Sequence, residues 1–216
     1  MYYYIYDSFL NANKYKKILG RIEVSLSNFG IQGKKQRLNI LHHQKEAIEE
    51  AIRRGAKTIV LVGNDRGVGQ AINTLAKYDI AVGIIPIGDE NENRIARTLG
   101  IPPETLACEV LSRRIIARLD LGKINTNYFL TTAEVSASTF TCVGPKKSFR
   151  LEPLVEKTAI TIVNLAIISL KEGQKLKNSS PRDGILELVI QDATTSLKET
   201  LHLTKARKKI PSIFPI

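Results

Sequence analysis

At 216 residues the chain exceeds one minimal module and falls short of two full-sized domains, which run to about 100–200 residues each. Its 43% hydrophobic and 25% charged residues exclude large-scale disorder and supply apolar material for a core. With 32 basic against 21 acidic residues, the formal charge of +11 favours anionic partners such as nucleotides or an acidic membrane surface. Much of that excess, as at Lys14, Lys16, Lys17 and Arg21, also reads as solubilising helix surface. There is no zinc-finger spacing, aromatic RNP-like strand or dense basic helix, so no specific nucleic-acid partner is expected. Cys108 and Cys142 form no CxxC pair, which fits a reducing compartment and two small core residues. The opening MYYYIYDSFL lacks the pattern of a signal peptide. The longest apolar run, Ala159 to Leu170, is broken by Thr161, Asn164 and Ser169, short of the ~20 residues a membrane span needs. A cytoplasmic protein is expected.

Tyr2 to Tyr6 is an aromatic, β-prone run closed by Asp7, with Asn11 or Asn13 placed to cap a helix after it. Tyr15, Ile18, Leu19, Ile22, Leu26 and Phe29 recur at three- and four-residue steps, predicting an amphipathic helix ended by Gly30. Gln36 to Leu41 reads as a second strand. Lys45 to Arg54 reads as a second helix with Ala47, Ile48, Ala51 and Ile52 inward and Gly55 as its stop. Lys57 to Val62 has the continuous β-branched texture of a strand covered on both faces, followed by a helix from Val68 to Lys77 and a buried strand from Ile80 to Pro86. That alternation predicts a parallel sheet. Short helices come next at Arg94 to Leu99 and Glu104 to Arg114. His42-His43 has no third ligand spaced to join it and reads as a surface or capping pair.

From about Ile115 the texture changes. Short runs at Tyr128 to Thr132, Ser138 to Val143, Ser148 to Leu154, Lys157 to Ile168 and Gly184 to Ile190 lie between Gly, Pro and Ser breaks and predict an antiparallel β unit. The fold class expected is therefore α/β: a parallel-sheet, Rossmann-like domain over residues 1–120, then a smaller antiparallel β-sandwich-like domain over 121–216. Their junction is placed near Asp120 to Lys123.

The stretch LVGNDRGVGQAIN, Leu61 to Asn73, joins a buried strand to a helix through a glycine-rich segment. Such a connection aims backbone N–H groups and the positive end of a helix dipole at one point, where a phosphate fits. Glycines there allow positive φ and close approach of a ligand to the backbone. The pattern is neither GxGxxG nor GxxxxGK, so alone it allows a ligand site or a purely structural turn. Ile84 to Gly88 ends the next strand with a turn of its own, and neighbouring strand ends of a parallel sheet form one crevice.

Taken in order, IVLVGNDRGVGQAIN, GIIPIG and NRIARTLGI resemble the catalytic domain of diacylglycerol kinases and related bacterial lipid kinases, with their GGDGT and PLGTGNDFAR segments. LDLGKINTNYFL is similar to that family's crossing into its second domain, and Pro181-Arg182-Asp183-Gly184-Ile185-Leu186 to its DG-L-L turn. The resemblance runs over roughly residues 57 to 190. It implies a nucleotide-binding α/β domain, a β-sandwich, ATP in the cleft between them, and Mg²⁺-assisted transfer of the γ-phosphoryl group to a lipid hydroxyl. Carried over, Gly63, Asn64, Asp65, Arg66 and Gly67, with Val68 and Gly69 beyond them, fall on the first nucleotide-binding turn. Pro86, Gly88, Asp89 and Asn93 fall on the second. Asp65 and Asp183 are the implied Mg²⁺ residues. Asn64 and Arg66 replace glycines, Gly67 replaces the threonine, and Asp89 stands where a second nucleotide-contacting threonine is expected. Asp183-Gly184 reads equally as an ordinary hairpin turn. No DGE occurs after it up to Ile216, so the resemblance assigns no general base and the catalytic residues are unknown. Two functions stay open: an ATP-dependent lipid kinase, or a kinase-like protein without catalysis that binds a nucleotide or a partner. A homodimer supplying edge contacts is a further open partner.

Overall fold

A computed structural model of the chain describes residues 1–39, 42–135, 140–143, 148–151, 158–165, 180–192, 198–204 and 209–213. The chain divides into two compact units, Met1–Arg118 with Ile210–Ile216, and Leu119–Lys209. Along the first run β1 (Tyr2–Tyr6), α1 (Lys16–Asn28), β2 (Gly33–Arg37), α2 (Gln44–Arg53), β3 (Thr58–Gly63), α3 (Asp65–Leu75), β4 (Ala81–Pro86), α4 (Arg94–Thr98), α5 (Glu104–Ser112) and β5 (Ile116–Asp120). After them come β6 (Gly122–Ile124), β7 (Asn127–Phe129), β8 (Thr132–Val135), β9 (Phe140–Val143), β10 (Ser148–Leu151), β11 (Thr158–Val163), β12 (Ile185–Asp192), β13 (Lys198–Thr204) and β14 (Lys209–Ile213).

The first unit is the expected α/β layer structure. Its sheet runs β2-β1-β3-β4-β14-β5, with β2, β1, β3 and β4 mutually parallel. β3 and β4 are buried along their whole lengths, as continuous apolar runs covered by helices on both faces require. On one face the Tyr4 hydroxyl donates to the Ile31 carbonyl just after α1. On the other, α2 and α3 pack together and place Ala47, Ile48, Ala51, Val68, Ala71 and Leu75 in the core. In α1 the buried stripe is Ile18, Leu19, Ile22 and Leu26, but Phe29, expected to extend it, is 43% exposed at the C-cap. Gly30 ends that helix with φ of 63°, in the left-handed region.

Two element starts in the first unit lie three residues from the sequence reading, β5 was not anticipated, and the strand expected at Tyr128 to Thr132 is divided between β7 and β8. The second strand was expected at Gln36 to Leu41, whereas β2 occupies Gly33–Arg37, and residues 40 and 41 lie outside the described set. β2 is a solvated edge strand, GKKQR, whose polar side chains carry no apolar period to announce it. Its register is imposed by β1: Gly33 pairs with Tyr2, where a Cβ would stand 2.2 Å from the Tyr2 carbonyl oxygen. α3 was expected to begin at Val68 and instead begins at Asp65. The proposed junction, Asp120 to Lys123, holds the end of β5 and the start of β6.

In the second unit β13-β12-β11-β8 form an antiparallel sheet, accompanied by the pairs β9-β10 and β6-β7. Ile160, Ile162 and Leu188 form a buried cluster against which Ile124, Phe129 and Leu186 pack. Asn164, fully buried, donates through Nδ2 to the carbonyls of Asp120 at 2.9 Å and Leu130 at 2.6 Å. The predicted strands Ser138 to Val143, Ser148 to Leu154 and Lys157 to Ile168 lie partly outside the described residues.

Among the described residues no helix is long and apolar enough to cross a membrane, and no three His, Cys, Asp or Glu side chains group to hold a metal. His42 and His43 are exposed; His43 occupies the N-cap position of α2 without a side-chain capping bond. Cys108 is buried in α5. The side chain of Cys142 lies outside the described set.

Candidate functional site

Only Asn64 separates β3 from α3, so the glycine-rich segment is not the open loop its composition suggests. Gly67 sits in the first turn of α3 and Gly69 in the next residues of the same helix. Gly63, Gly67 and Gly69 all have negative φ, which corrects the expectation that they supply left-handed turn geometry. What Gly63 and Gly67 supply is room for another side chain. A Cβ on Gly63 would meet the Asp7 Cβ at 2.9 Å, and one on Gly67 would meet Asp7 Oδ2 at 2.8 Å. Asp7 comes directly after the last residue of β1, and its N–H donates to the Val62 carbonyl at 2.9 Å, which sets it at the same carboxyl edge of the sheet. The threonine that the family resemblance leads one to expect at Gly67 would carry its Cβ into that carboxylate. Gly69 meets nothing within 4 Å.

The N-cap Asn64 makes no side-chain capping bond, and the Val68 N–H makes the first helical bond, to the Asn64 carbonyl at 3.2 Å. Helix geometry leaves the N–H groups of the first turn without intrahelical acceptors. Arg66, at that end, is exposed.

The second expected turn lies beside the first. The Ile87 N–H donates to the Gly63 carbonyl at 2.9 Å, carrying the pairing of β3 with β4 past Pro86. Gly88 has φ of 111°, a conformation other residues rarely adopt. Asp89 accepts the Asn91 N–H at 2.8 Å and caps a short 3₁₀ turn over Glu90–Glu92. Buried Asn93 donates through Nδ2 to the Asp89 carbonyl at 2.9 Å. Asp65 ties the two segments together: Oδ2 accepts the Arg94 N–H at 2.7 Å and Oδ1 the Ile95 N–H at 3.0 Å, at the start of α4. Burial pushes its carboxyl above the usual aspartate value, while these two N–H groups pull the other way. Gly63, Asn64, Asp65, Arg66, Gly67, Pro86, Gly88, Asp89 and Asn93 thus belong to one connected group of strand ends in the first unit.

Asp183 belongs to the second unit. It is exposed, its Oδ1 accepts the Ile185 N–H at 2.8 Å, and Gly184 has φ of 74°, so Asp-Gly forms a turn leading into β12. Asp120 holds that turn: its N–H donates to the Pro181 carbonyl at 2.6 Å and its Oδ2 accepts the Gly184 N–H at 2.8 Å. Sequence reading missed Asp7 and Gln44 as members of the first site. Gln44, at the start of α2, donates through Nε2 to the Gly67 carbonyl at 2.8 Å. An acid directly after the first strand of a parallel sheet was the available signal for Asp7; nothing local distinguishes Gln44.

The architecture defines a Rossmann-like α/β unit whose β3–α3 and β4–α4 connections lie side by side at the carboxyl edge of the sheet, with an antiparallel β unit after it in sequence. The diacylglycerol kinase catalytic domain family matches residues 2–124, more than half of the chain, and the chain belongs to that family. It is 27% identical over 133 residues to a diacylglycerol kinase of Bacillus subtilis, a stretch covering 60% of this chain and 43% of that protein. It is 32% identical over 91 residues to a probable lipid kinase YegS-like protein of Pseudomonas aeruginosa, covering 41% of this chain and 30% of that protein. The matched stretches thus span less than half of either relative's length. A solved diacylglycerol kinase structure from Bacillus anthracis superposes with a TM-score of 0.73, covering 99% of this chain and 96% of that one at 15% identity. That likeness establishes the shared fold.

Proposed function

We propose that the chain binds ATP at the β3–α3 and β4–α4 strand ends and transfers its γ-phosphoryl group to a lipid hydroxyl. The observation carrying this reading is the uncapped N-terminus of α3 at the carboxyl edge of a parallel sheet, within a chain of the diacylglycerol kinase family. First-turn N–H groups and the helix dipole favour phosphate oxygens there, and exposed Arg66 adds a guanidinium able to hold two of them. Asn64, Val68, Gly69, Pro86, Gly88, Asp89 and Asn93 complete the proposed nucleotide site. The family resemblance implies Asp65 and, separately, Asp183 as residues that would hold Mg²⁺, whose charge would offset that of the transferred group. The excess of basic residues suits an anionic membrane surface presenting the acceptor, and the cytoplasm supplies ATP.

One observation favours the second reading, nucleotide binding without transfer: both Asp65 oxygens already serve backbone N–H groups. Calorimetric titration with Mg-ATP, then transfer from labelled ATP to diacylglycerol in anionic vesicles, separates the two. Stoichiometric binding with lipid phosphorylation supports the kinase, and Arg66→Ala weakens binding about tenfold, the loss of one charge-assisted hydrogen bond. Binding without transfer establishes the alternative, and no nucleotide binding at millimolar ATP overturns both.

A further inference from the structure

Asparagine is among the strongest N-caps, because its side-chain oxygen accepts the N–H of the second or third helical residue. In α3 those residues are Arg66 and Gly67, yet Asn64 at the N-cap makes no such bond. Its backbone does not forbid one: φ of −123° and ψ of −176° are the extended conformation in which N-caps ordinarily serve. The oxygen is instead buried, with no hydrogen-bond partner among the described residues. Asn64 lines a small cavity together with Gln44, Gly63 and Gly67, among others. The interior is about 10 Å³, room for one water. Gln44, at the start of α2, donates through Nε2 to the Gly67 carbonyl at 2.8 Å, which orients its amide and leaves Oε1 buried and unpartnered as well.

Two buried acceptors at one water-sized space match the two protons of a single water, and either one left unserved carries the desolvation penalty of a buried polar group. We propose that Gln44 is a positioning residue: through one bridging water it holds the Asn64 oxygen inward and so keeps the first-turn N–H groups of α3 uncapped and open to a phosphate. The bond from Gln44 to the Gly67 carbonyl is what makes it present an oxygen, and not an N–H, to that water. Without Gln44 the Asn64 oxygen is free to return to the Arg66 or Gly67 N–H, where an ordinary N-cap sits. The helix would then fill its own anion-binding end with a side-chain oxygen. A phosphate has to displace that cap, so its apparent affinity falls with the fraction of chains left uncapped. The consequence for phosphate rests on the proposed nucleotide site; the link between Gln44 and Asn64 does not.

Amide hydrogen exchange of the whole chain, without nucleotide, reads the cap directly. The Arg66 and Gly67 amides are expected to exchange rapidly in the parent. Gln44→Met, which keeps the side-chain length and removes both polar ends, is expected to slow exchange at one of them by about fivefold, the protection of an ordinary N-cap. A merely structural loss acts the other way, since loosening the fold speeds exchange. Calorimetric affinity for Mg-ATP is expected to fall by a similar factor. With Asn64→Ala already in place, Gln44→Met is expected to change neither quantity. Circular dichroism and the melting temperature establish that each variant is folded. Should Gln44→Met fail this check, Asn64→Ala decides: exchange at both amides stays as fast as in the parent, whereas acceleration shows that Asn64 already caps α3 and overturns the proposal. Unchanged or faster exchange in folded Gln44→Met, or an equal effect with Asn64 already replaced, also overturns it. A chain whose amides respond as expected yet binds no ATP retains the link between Gln44 and Asn64 and loses the nucleotide reading.

Discussion

Gly67 and Gly69 stand two residues apart in one helix and obey opposite constraints. Alanine normally stabilises a helix interior by about 0.5–1 kcal/mol over glycine. Gly69 faces open space, so Gly69→Ala is expected to raise stability by about that amount in urea unfolding. At Gly67 the new Cβ meets Asp7 Oδ2 at 2.8 Å, and Gly67→Ala is expected to cost about 1–3 kcal/mol. Combining it with Asp7→Ala restores most of that loss if the contact is the cause, a coupling read from a double-mutant cycle. Cys108 makes a different prediction. Burial pushes its thiol from 9.0 up to about 11, so the folded state holds a proton that the unfolded state releases first. Its stabilising contribution is complete below pH 9 and declines as pH rises toward 11, by up to about 1.4 kcal/mol per pH unit. Unfolding curves of the Cys142→Ser chain from pH 8 to 11, with and without Cys108→Ala, isolate that slope.

Between elements, the decisive connection is Asp65. Being first in α3, it already complements that helix's dipole. By accepting the Arg94 and Ile95 N–H groups it also caps α4 from a segment some thirty residues away. Asp65→Ala is expected to cost about 0.5–2 kcal/mol, the usual cost of a lost cap. Hydrogen exchange at the Arg94 and Ile95 amides should accelerate more than at α2, whereas uniform acceleration would assign the loss to the whole fold. Aspartate at 65 was readable as a motif residue, but its partners were not. A capping bond within one helix has a fixed spacing in sequence, and this one does not. The start of β2 was hidden for a related reason: polar on both faces, it acquires its strand conformation from pairing with β1.

For the whole molecule, the chain returns to its first sheet: β14 lies between β4 and β5, with Ser212 paired to Val82. Ending the chain after Lys208 removes that strand and leaves the backbone edge of β4 unpaired. An exposed apolar strand edge recruits other chains. The truncated protein is expected to melt at a lower temperature and to aggregate with increasing concentration in light scattering; an unchanged melt and a monodisperse profile would show that β4 does not depend on β14.

The helices of the first unit, its buried strands β3 and β4, and the presence of an antiparallel β unit in the later part of the chain are dictated by local pattern, although β5, Ile116–Asp120, still joins the first sheet. Apolar period, glycine stops and β-branched runs are properties of neighbouring residues, and they act before any distant contact forms. The resemblance in motif order likewise placed the chain in its family. Distance along the chain hid the rest. That Gly67 accommodates Asp7, that Asp65 caps α4, that Gln44 closes on Gly67 and that β14 borders β4 each join segments at least 23 residues apart. Those contacts exist only once the sheet has brought its strand ends to one edge, and they pack the Asp7 carboxylate against a glycine-rich connection whose sequence shows no trace of it.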